Sequence, residues 1–569
     1  MSNYRKIACD VLVIGEGGAG LRAAIEADGN GLKVILVSKS LLGKAHTVMA
    51  EGGIAASVAN VDPKDTWQVH FSDTIIEGVY IGDWRMVELL AREAPERVYE
   101  LERYGALFDR TPEGKIMQRA FGAHTYRRLC HVGDKTGLEL IRTLEDRILH
   151  GNATFMDELI ITRLAKRNGR VIGAIGLYFK TGEFVAISAK AVVLATGGCG
   201  KVYKVTSNSK ETTGDGLALA LDAGARLRDM EMVQFHPTGM VYPPGAKGLL
   251  VTEGVRGEGG ILLNTKGERF MLRYSPKRKE LDARDVVARA IYNEIMTGNG
   301  TEHGGVYLDV THMSNEFIKK KLPAMHEQFL EFAGVDITKE KMEVAPTVHY
   351  FMGGVGVESE TCYSGIKGLF AAGEVSGGVH GANRLGGNSL ADILVFGRRA
   401  GCAAAKYAKR TRLEPIPDAM AKEEIRKICS YLRKGENPYK LIESLREAMS
   451  NHVGIIRDRK NLEIALSKIE GLKKRAEKIG VSGGTRYNQG LMACIELNFM
   501  LKVAECIVRS AIERKESRGA HTRSDYPKKD RKWKRNIYCE LKGSRITLHT
   551  RKVPEMPGRL RPIVERERY

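Results

Sequence analysis

Short apolar runs recur along the first two thirds of the chain, and most of them close on glycine. Asp10 to Gly15 reads DVLVIG, the pattern of a strand buried on both faces. GEGGAGLRAAIEADGNG follows, glycine-rich and then helical, and KVILVSKS is the next apolar strand. This order predicts a strand–turn–helix–strand unit with Gly15, Gly17 and Gly20 in the GxGxxG register. In that register the glycines permit a tight turn, close backbone approach to a pyrophosphate, and close packing of helix on strand. The N-terminus of the helix then offers its free N–H groups to the phosphates. An acidic residue often ends the second strand and holds a ribose hydroxyl. Here Ser38 and Lys39 stand in that region. Two later runs, AVVLATGG (Ala191 to Gly198) and GLFAAGE (Gly368 to Glu374), end similarly, and no second complete GxGxxG unit follows.

These patterns predict an α/β fold. One Rossmann-like dinucleotide-binding domain, NAD or FAD being open at this point, spans residues 1–238 and 346–412 around an inserted capping domain at 239–345. Stretches such as KEEIRKICSYLRK and NLEIALSKIEGLKKRAEKIG predict a helical domain over 413–524. A basic C-terminal segment, 525–569, lacks a strong period.

Composition narrows the classes. No run of about 18 apolar residues occurs, so no transmembrane helix is expected. The start, MSNYRKIACDVLVIG, lacks the charged–apolar–cleavage order of a secretory signal. Nine cysteines without a CxxC argue against a zinc site or an iron–sulfur cluster held by this chain alone, and for reduced, mostly buried thiols. The formal net charge is +20, visible in KKDRKWKR (Lys528 to Arg535). A nucleic-acid partner would fit that charge, as would an acidic protein partner or dianionic substrates.

Across about 520 residues the sequence resembles the flavoprotein subunits of succinate dehydrogenases and fumarate reductases. The resemblance runs in order through GEGGAG, AHTVMAEGG (Ala45 to Gly53), ATGG, TGDG (Thr213 to Gly216), QFHPTG (Gln234 to Gly239), TEGVRGEGG (Thr252 to Gly260), ARDVVARA (Ala283 to Ala290), HYFMGG (His349 to Gly354), AAGE, HGANRLGGNSL (His380 to Leu390) and ESRGAH (Glu516 to His521). It implies FAD as the dinucleotide and hydride exchange between flavin N5 and a dicarboxylate, interconverting succinate and fumarate in a cleft between flavin and capping domains. It implies an α+β capping domain. It also implies an iron–sulfur protein subunit as electron partner, indirect membrane association through anchor subunits, and a place at the cytoplasmic face of the membrane.

The residues fit that chemistry. A dicarboxylate needs cations or donors at both ends, and His236, His349 and Arg384 are candidates; the resemblance adds Thr252. Reducing fumarate also needs a proton donor. A histidine or a carboxylic acid is the ordinary choice, but the resemblance points to Arg284, with Glu253 and Arg256 as the relay that restores its proton. It assigns FAD to Gly15, Gly17, Gly20, Ser38, Lys39, Gly53, Gly197, Gly198, Asp215, Glu374, Ser389 and Leu390. His46 matches the histidine that relatives bond covalently to the flavin 8α methyl group. Met49, Lys44, Ala45 and Phe351 depart from the common pattern without removing a catalytic group. No metal site and no nucleic-acid partner are expected. The alternative enzyme is an L-aspartate oxidase-like flavoprotein, which shares the dicarboxylate grip but lacks a histidine at the position of His46. A third reading, a basic nucleic-acid-binding flavoprotein, rests on charge alone.

Overall fold

A seven-stranded sheet organises the N-terminal half. The computed structural model describes residues 4–565. Strand Arg5–Ile14 sits at the centre, between Val34–Val37 and Phe184–Leu194, and is parallel to both. Its last four residues, Val11 to Ile14, are buried, which explains their unbroken apolar run. Thr154–Met156 extends one side, and Leu369–Ala371 joins Phe184–Leu194 in parallel from far along the chain. The antiparallel strands Leu159–Arg167 and Arg170–Tyr178 complete the sheet.

Helix Gly18–Asp28 packs between this sheet and the long helix Asn388–Lys409. Gly401 makes the helix crossing possible: a Cβ there would lie 2.3 Å from the Ala23 carbonyl oxygen. The last strand and this helix return the chain to the dinucleotide unit after the insertion.

The inserted segment builds a second layer with its own apolar core, including Val255, Phe270, Ile291 and Met325. Its antiparallel sheet runs Val233–Met240, Met342–Phe351, Val306–Asp309, Ile261–Leu263. The first two strands carry the chain in and out. They run continuously through the positions where the sequence reading puts its boundaries, 238/239 and 345/346. Helices Asp418–Cys429, Pro438–His452, Arg459–Ala476 and Gln489–Glu513 follow and share a core with the main sheet.

The basic tail departs from the expectation of an unpatterned segment. Arg535–Lys542 and Arg545–Lys552 form a hairpin, and its first strand pairs with Leu227–Arg228. Ile537 and Cys539 are buried while the charged side chains face outward, so the alternation is masked by lysine and arginine. The overlooked signal is Gly543–Ser544 between two alternating runs, with Gly543 at φ +60°. Fully buried Arg514 fastens this region, donating to Glu231 at 2.6 Å and to the carbonyls of Trp533 and Arg535.

All nine cysteines are free and seven are buried. Among the described residues no helix is long and apolar enough to cross a membrane, and no group of three or more candidate ligands could hold a metal ion.

Candidate active site

One elongated cavity runs from the glycine turn after the first strand to the seam between the two sheets. It encloses about 1630 Å³ of empty space, part of it open to solvent.

The first end is made of backbone. Gly15 has φ +108°, and a Cβ on it would lie 2.2 Å from the Ala195 carbonyl oxygen. Gly20 approaches the same turn from the helix, and a Cβ there would meet the Gly15 carbonyl oxygen at 1.8 Å. Gly17 precedes helix Gly18–Asp28 and supplies no side-chain cap; the Gly18 N–H donates to Thr47 Oγ1 at 3.3 Å, and the N–H groups that follow it in the first turn face an anion. Gly18 and Ala19 line the cavity there, as does Thr196, whose buried hydroxyl has no protein partner. A glycine cradle, a helix N-terminus without a cap from Gly17 and an orphaned hydroxyl on one wall fit a dinucleotide pyrophosphate.

Further along, Glu374 accepts from the Phe351 N–H at 3.0 Å, and burial raises its carboxyl to about 7. A Cβ on Gly198 would strike this carboxylate, so Gly198 stands behind the wall and serves Glu374 rather than the cavity. Gly53, Gly197, Ser38, Ser389 and Leu390 all line the cavity. Lys39 and Asp215 do too, but their charges meet each other at 2.9 Å, and Lys39 also pairs with Glu496 at 2.7 Å.

His46 opens the short turn His46–Met49 and points along the same wall. The Ser209 N–H donates to Nδ1 at 3.3 Å, and the Asn208 amide nitrogen lies 3.2 Å from Nε2. Burial first, then the charge of Lys201, outweighs the opposing pull of Glu211 and lowers the imidazole to about 4. His46 is therefore neutral near pH 7.

The second end is made of charged side chains drawn from both sheets. Arg284 is the first residue of helix Arg284–Glu294. Its Nε donates to Glu253 Oε2 at 2.8 Å and its NH1 to Gln234 Oε1 at 3.2 Å. Glu253 also lies 3.7 Å from Arg256 NH2 and accepts from the Gly122 N–H at 2.8 Å. Burial alone would raise the Glu253 carboxyl; Arg284 and Arg256 more than offset it and hold it below its usual value. Arg384 donates to Gln234 Oε1 at 3.0 Å and to Ser389 Oγ at 3.3 Å, and lies over the Tyr350 ring. Only 2% of it is exposed, and among the described residues its Nε has no partner and no carboxylate pairs with it. Burial, then the neighbouring Arg284 charge, lowers it to about 9. Two buried guanidiniums, of Arg284 and Arg384, line this end, with Arg256 behind Glu253; the Glu253 carboxylate serves Arg284 and Arg256, and among the described residues no carboxylate pairs with Arg384. Glu51 and Glu374, the other carboxyls on this wall, are raised by burial to about 8 and about 7.

His236 and His349 face each other with ring centroids 5.1 Å apart. Nδ1 of His236 is held by Thr238 at 2.9 Å and Nδ1 of His349 by Ser207 at 2.9 Å, leaving each Nε2 for the cavity. Burial and the nearby cations push both imidazoles well below their usual value, so they are neutral. Thr252 lines the same space.

Two sequence-predicted residues besides Gly198 stand off the cavity: Gly20, which packs helix on turn, and Arg256, which reaches the site through Glu253. Sequence reasoning missed Gln234, whose one oxygen accepts from both Arg284 and Arg384, although it opens the QFHPTG motif. It also missed Asn383, which receives the Gln234 amide at 2.8 Å, and Phe121, whose ring lies under Arg284. Phe121 lies outside every motif and carried no signal.

Comparison with known proteins bears directly on this site. The family model described as FAD binding domain matches residues 10–390. The one described as fumarate reductase flavoprotein C-term matches residues 442–563. A fumarate reductase (CoM/CoB) subunit of Methanothermobacter marburgensis is 52% identical over 536 residues, 94% of this chain and 97% of that protein. The succinate dehydrogenase flavoprotein subunit of Coxiella burnetii is 40% identical over 556 residues, covering 93% and 94%. Among solved structures, an E. coli quinol fumarate reductase chain superimposes with a TM-score of 0.92 at 35% identity, covering 97% of this chain and 98% of that one.

Proposed function

The chain belongs to the family of succinate dehydrogenase and fumarate reductase flavoprotein subunits, and on that premise we propose how its residues interconvert succinate and fumarate. It is an FAD-binding oxidoreductase. The observation that carries the substrate reading is the buried Arg384 guanidinium, which no carboxylate among the described residues pairs, with Arg284, two neutral imidazoles and a threonine beside it. A dianion of four carbons supplies the missing carboxylate, and charge-assisted hydrogen bonds at both ends fix its orientation.

Bound FAD supplies the acceptor and donor of hydride. The protein's own residues do the rest. Arg384 holds a carboxylate, Thr252 adds a hydroxyl donor, and His236 and His349 donate from Nε2 once the dianion's charge draws a proton onto each ring. Their donors, aimed where negative charge develops on the carboxylates, favour polarisation of the carbon–carbon bond. Arg284 spends Nε on Glu253 and NH1 on Gln234, which leaves NH2 as the nitrogen to carry a proton to or from the substrate carbon. An arginine rarely gives up a proton. Arg256 hands a proton to the adjoining Glu253 carboxylate as that group passes one on to Arg284, so the neutral state is brief.

His46 would hold the flavin covalently at its 8α methyl carbon, a C–H bond there giving way to the C–N bond with the proton lost and the two electrons taken up by the flavin itself; the neutral imidazole supports this. Acid precipitation would then bring yellow flavin down with the protein, whereas flavin left in the supernatant contradicts the bond. Electrons pass to or from an iron–sulfur protein subunit, itself tied to the cytoplasmic face of the membrane through anchor subunits. The excess of basic side chains suits docking of an acidic partner. The direct test is turnover with an artificial electron dye. Activity with succinate and fumarate supports the proposal; oxidation of L-aspartate without either activity refutes it.

A further inference from the structure

The second strand ends in Ser38 and Lys39, and Lys39 is consumed by Asp215 and Glu496. The place where a dinucleotide fold ordinarily keeps an acid for the adenosine ribose therefore has none of its own. The structure puts another carboxyl there. Glu16 lies inside the glycine turn, between Gly15 and Gly17. It is only 3% exposed, lines the cavity, and neither of its oxygens has a hydrogen-bond donor. Its neighbour is Asp157, within hydrogen-bonding reach. Asp157 is anchored to the exit of the second strand: its Oδ2 accepts from the Leu42 N–H at 3.2 Å, and Ser38 N–H donates to the Met156 carbonyl at 3.3 Å. Glu16 thus reaches from the first strand's turn to the second strand's exit, which is where the ribose of the adenosine end lies in this type of fold.

We propose that Glu16, positioned by Asp157, receives the ribose hydroxyls at the adenosine end of the bound dinucleotide, in place of an acid at the end of the second strand. This rests on FAD occupying the cavity. Two facing carboxyls cannot both be satisfied unless one carries a proton. Burial, then Asp157 and Glu145, raises Glu16 to about 9, so Glu16 holds it. A neutral acid beside the helix N-terminus does not repel a pyrophosphate, as a carboxylate would. It can donate to Asp157 through one oxygen and accept a ribose hydroxyl with the other. The cluster is not a cation site, because no group of candidate ligands among the described residues has the geometry to hold a metal.

The test uses the full chain carrying His46→Ser, so that flavin binding is reversible. Flavin fluorescence gives the affinity for FAD, and displacement gives those for ADP and 2′,3′-dideoxy-ADP. With Glu16 present, ADP is expected to bind about tenfold or more tightly than the dideoxy compound, the cost of leaving a buried group unpaired. In Glu16→Ala that preference disappears and FAD binds about tenfold more weakly, while FMN binding is unchanged; Glu16→Gln, nearly isosteric, restores part of the preference. Equal binding of ADP and dideoxy-ADP to the Glu16 protein, with FAD still bound, overturns the inference alone. Failure of FAD to bind at all overturns the cofactor reading and this inference with it.

Discussion

The two ends of the cavity recognise their ligands by opposite means. In the proposed reading the dinucleotide end works through backbone: three glycines, a helix N-terminus without a cap from Gly17, and an acid, Glu16, kept neutral by burial. The dicarboxylate end works through side chains: two arginines joined by one glutamine oxygen, a glutamate shared with a third arginine, and two imidazoles held by Nδ1. Backbone recognition tolerates no Cβ but accepts many neighbours. Side-chain recognition tolerates many backbones but no change of functional group. Substitutions should therefore separate the ends, catalysis failing at one and cofactor binding at the other.

The largest separation is expected at Arg284. Arg284→Ala should lower turnover by about 10²–10⁴-fold, the share of a positioned proton donor, while flavin content stays at the parent level. Loss of flavin in step with activity would blur the two ends and argue for a structural role. Next comes Arg384→Ala, which removes a charged hydrogen-bond partner worth ~1.5–3 kcal/mol and should weaken fumarate binding by roughly 10–100-fold, read as KM. Gln234→Leu should cost about tenfold in kcat/KM, because each guanidinium loses an acceptor but neither is removed.

The smallest effect lies at the other end and is one of pH. Glu16 has a folded value of about 9 against an ordinary 4.5. Its contribution to stability is fully present below about pH 4.5 and is lost as pH rises towards about 9. Thermal melting of the flavin-stripped His46→Ser protein should therefore show a fall in stability across that window, and Glu16→Gln should flatten it. An unchanged slope would remove Asp157 and Glu145 as the cause.

The same contrast decides what could be read before the structure. The glycine turn was legible because its ligand groups belong to consecutive residues, and a strand and a helix frame it. The insertion was legible from the lack of a second complete GxGxxG unit, and the helices after residue 412 from periodicity. The dicarboxylate end was not, because its parts lie between Gln234 and Arg384 and only folding brings them together. Resemblance located His236, His349, Arg284 and Arg384 there, but not Gln234, which acts between two of them. Glu16 was passed over because a GxGxxG pattern leaves that position unspecified. The C-terminal hairpin was missed because charged residues on its outer face hid the alternation that buries Ile537 and Cys539.

One measurement tests the central claim, that the arginine-lined end serves a dicarboxylate and the glycine end an FAD in the same reaction. The purified protein is followed by flavin absorbance under anaerobic conditions while succinate and then fumarate are added. Bleaching of the flavin by succinate and its recovery with fumarate is the predicted result. A flavin spectrum that responds to neither acid would contradict it.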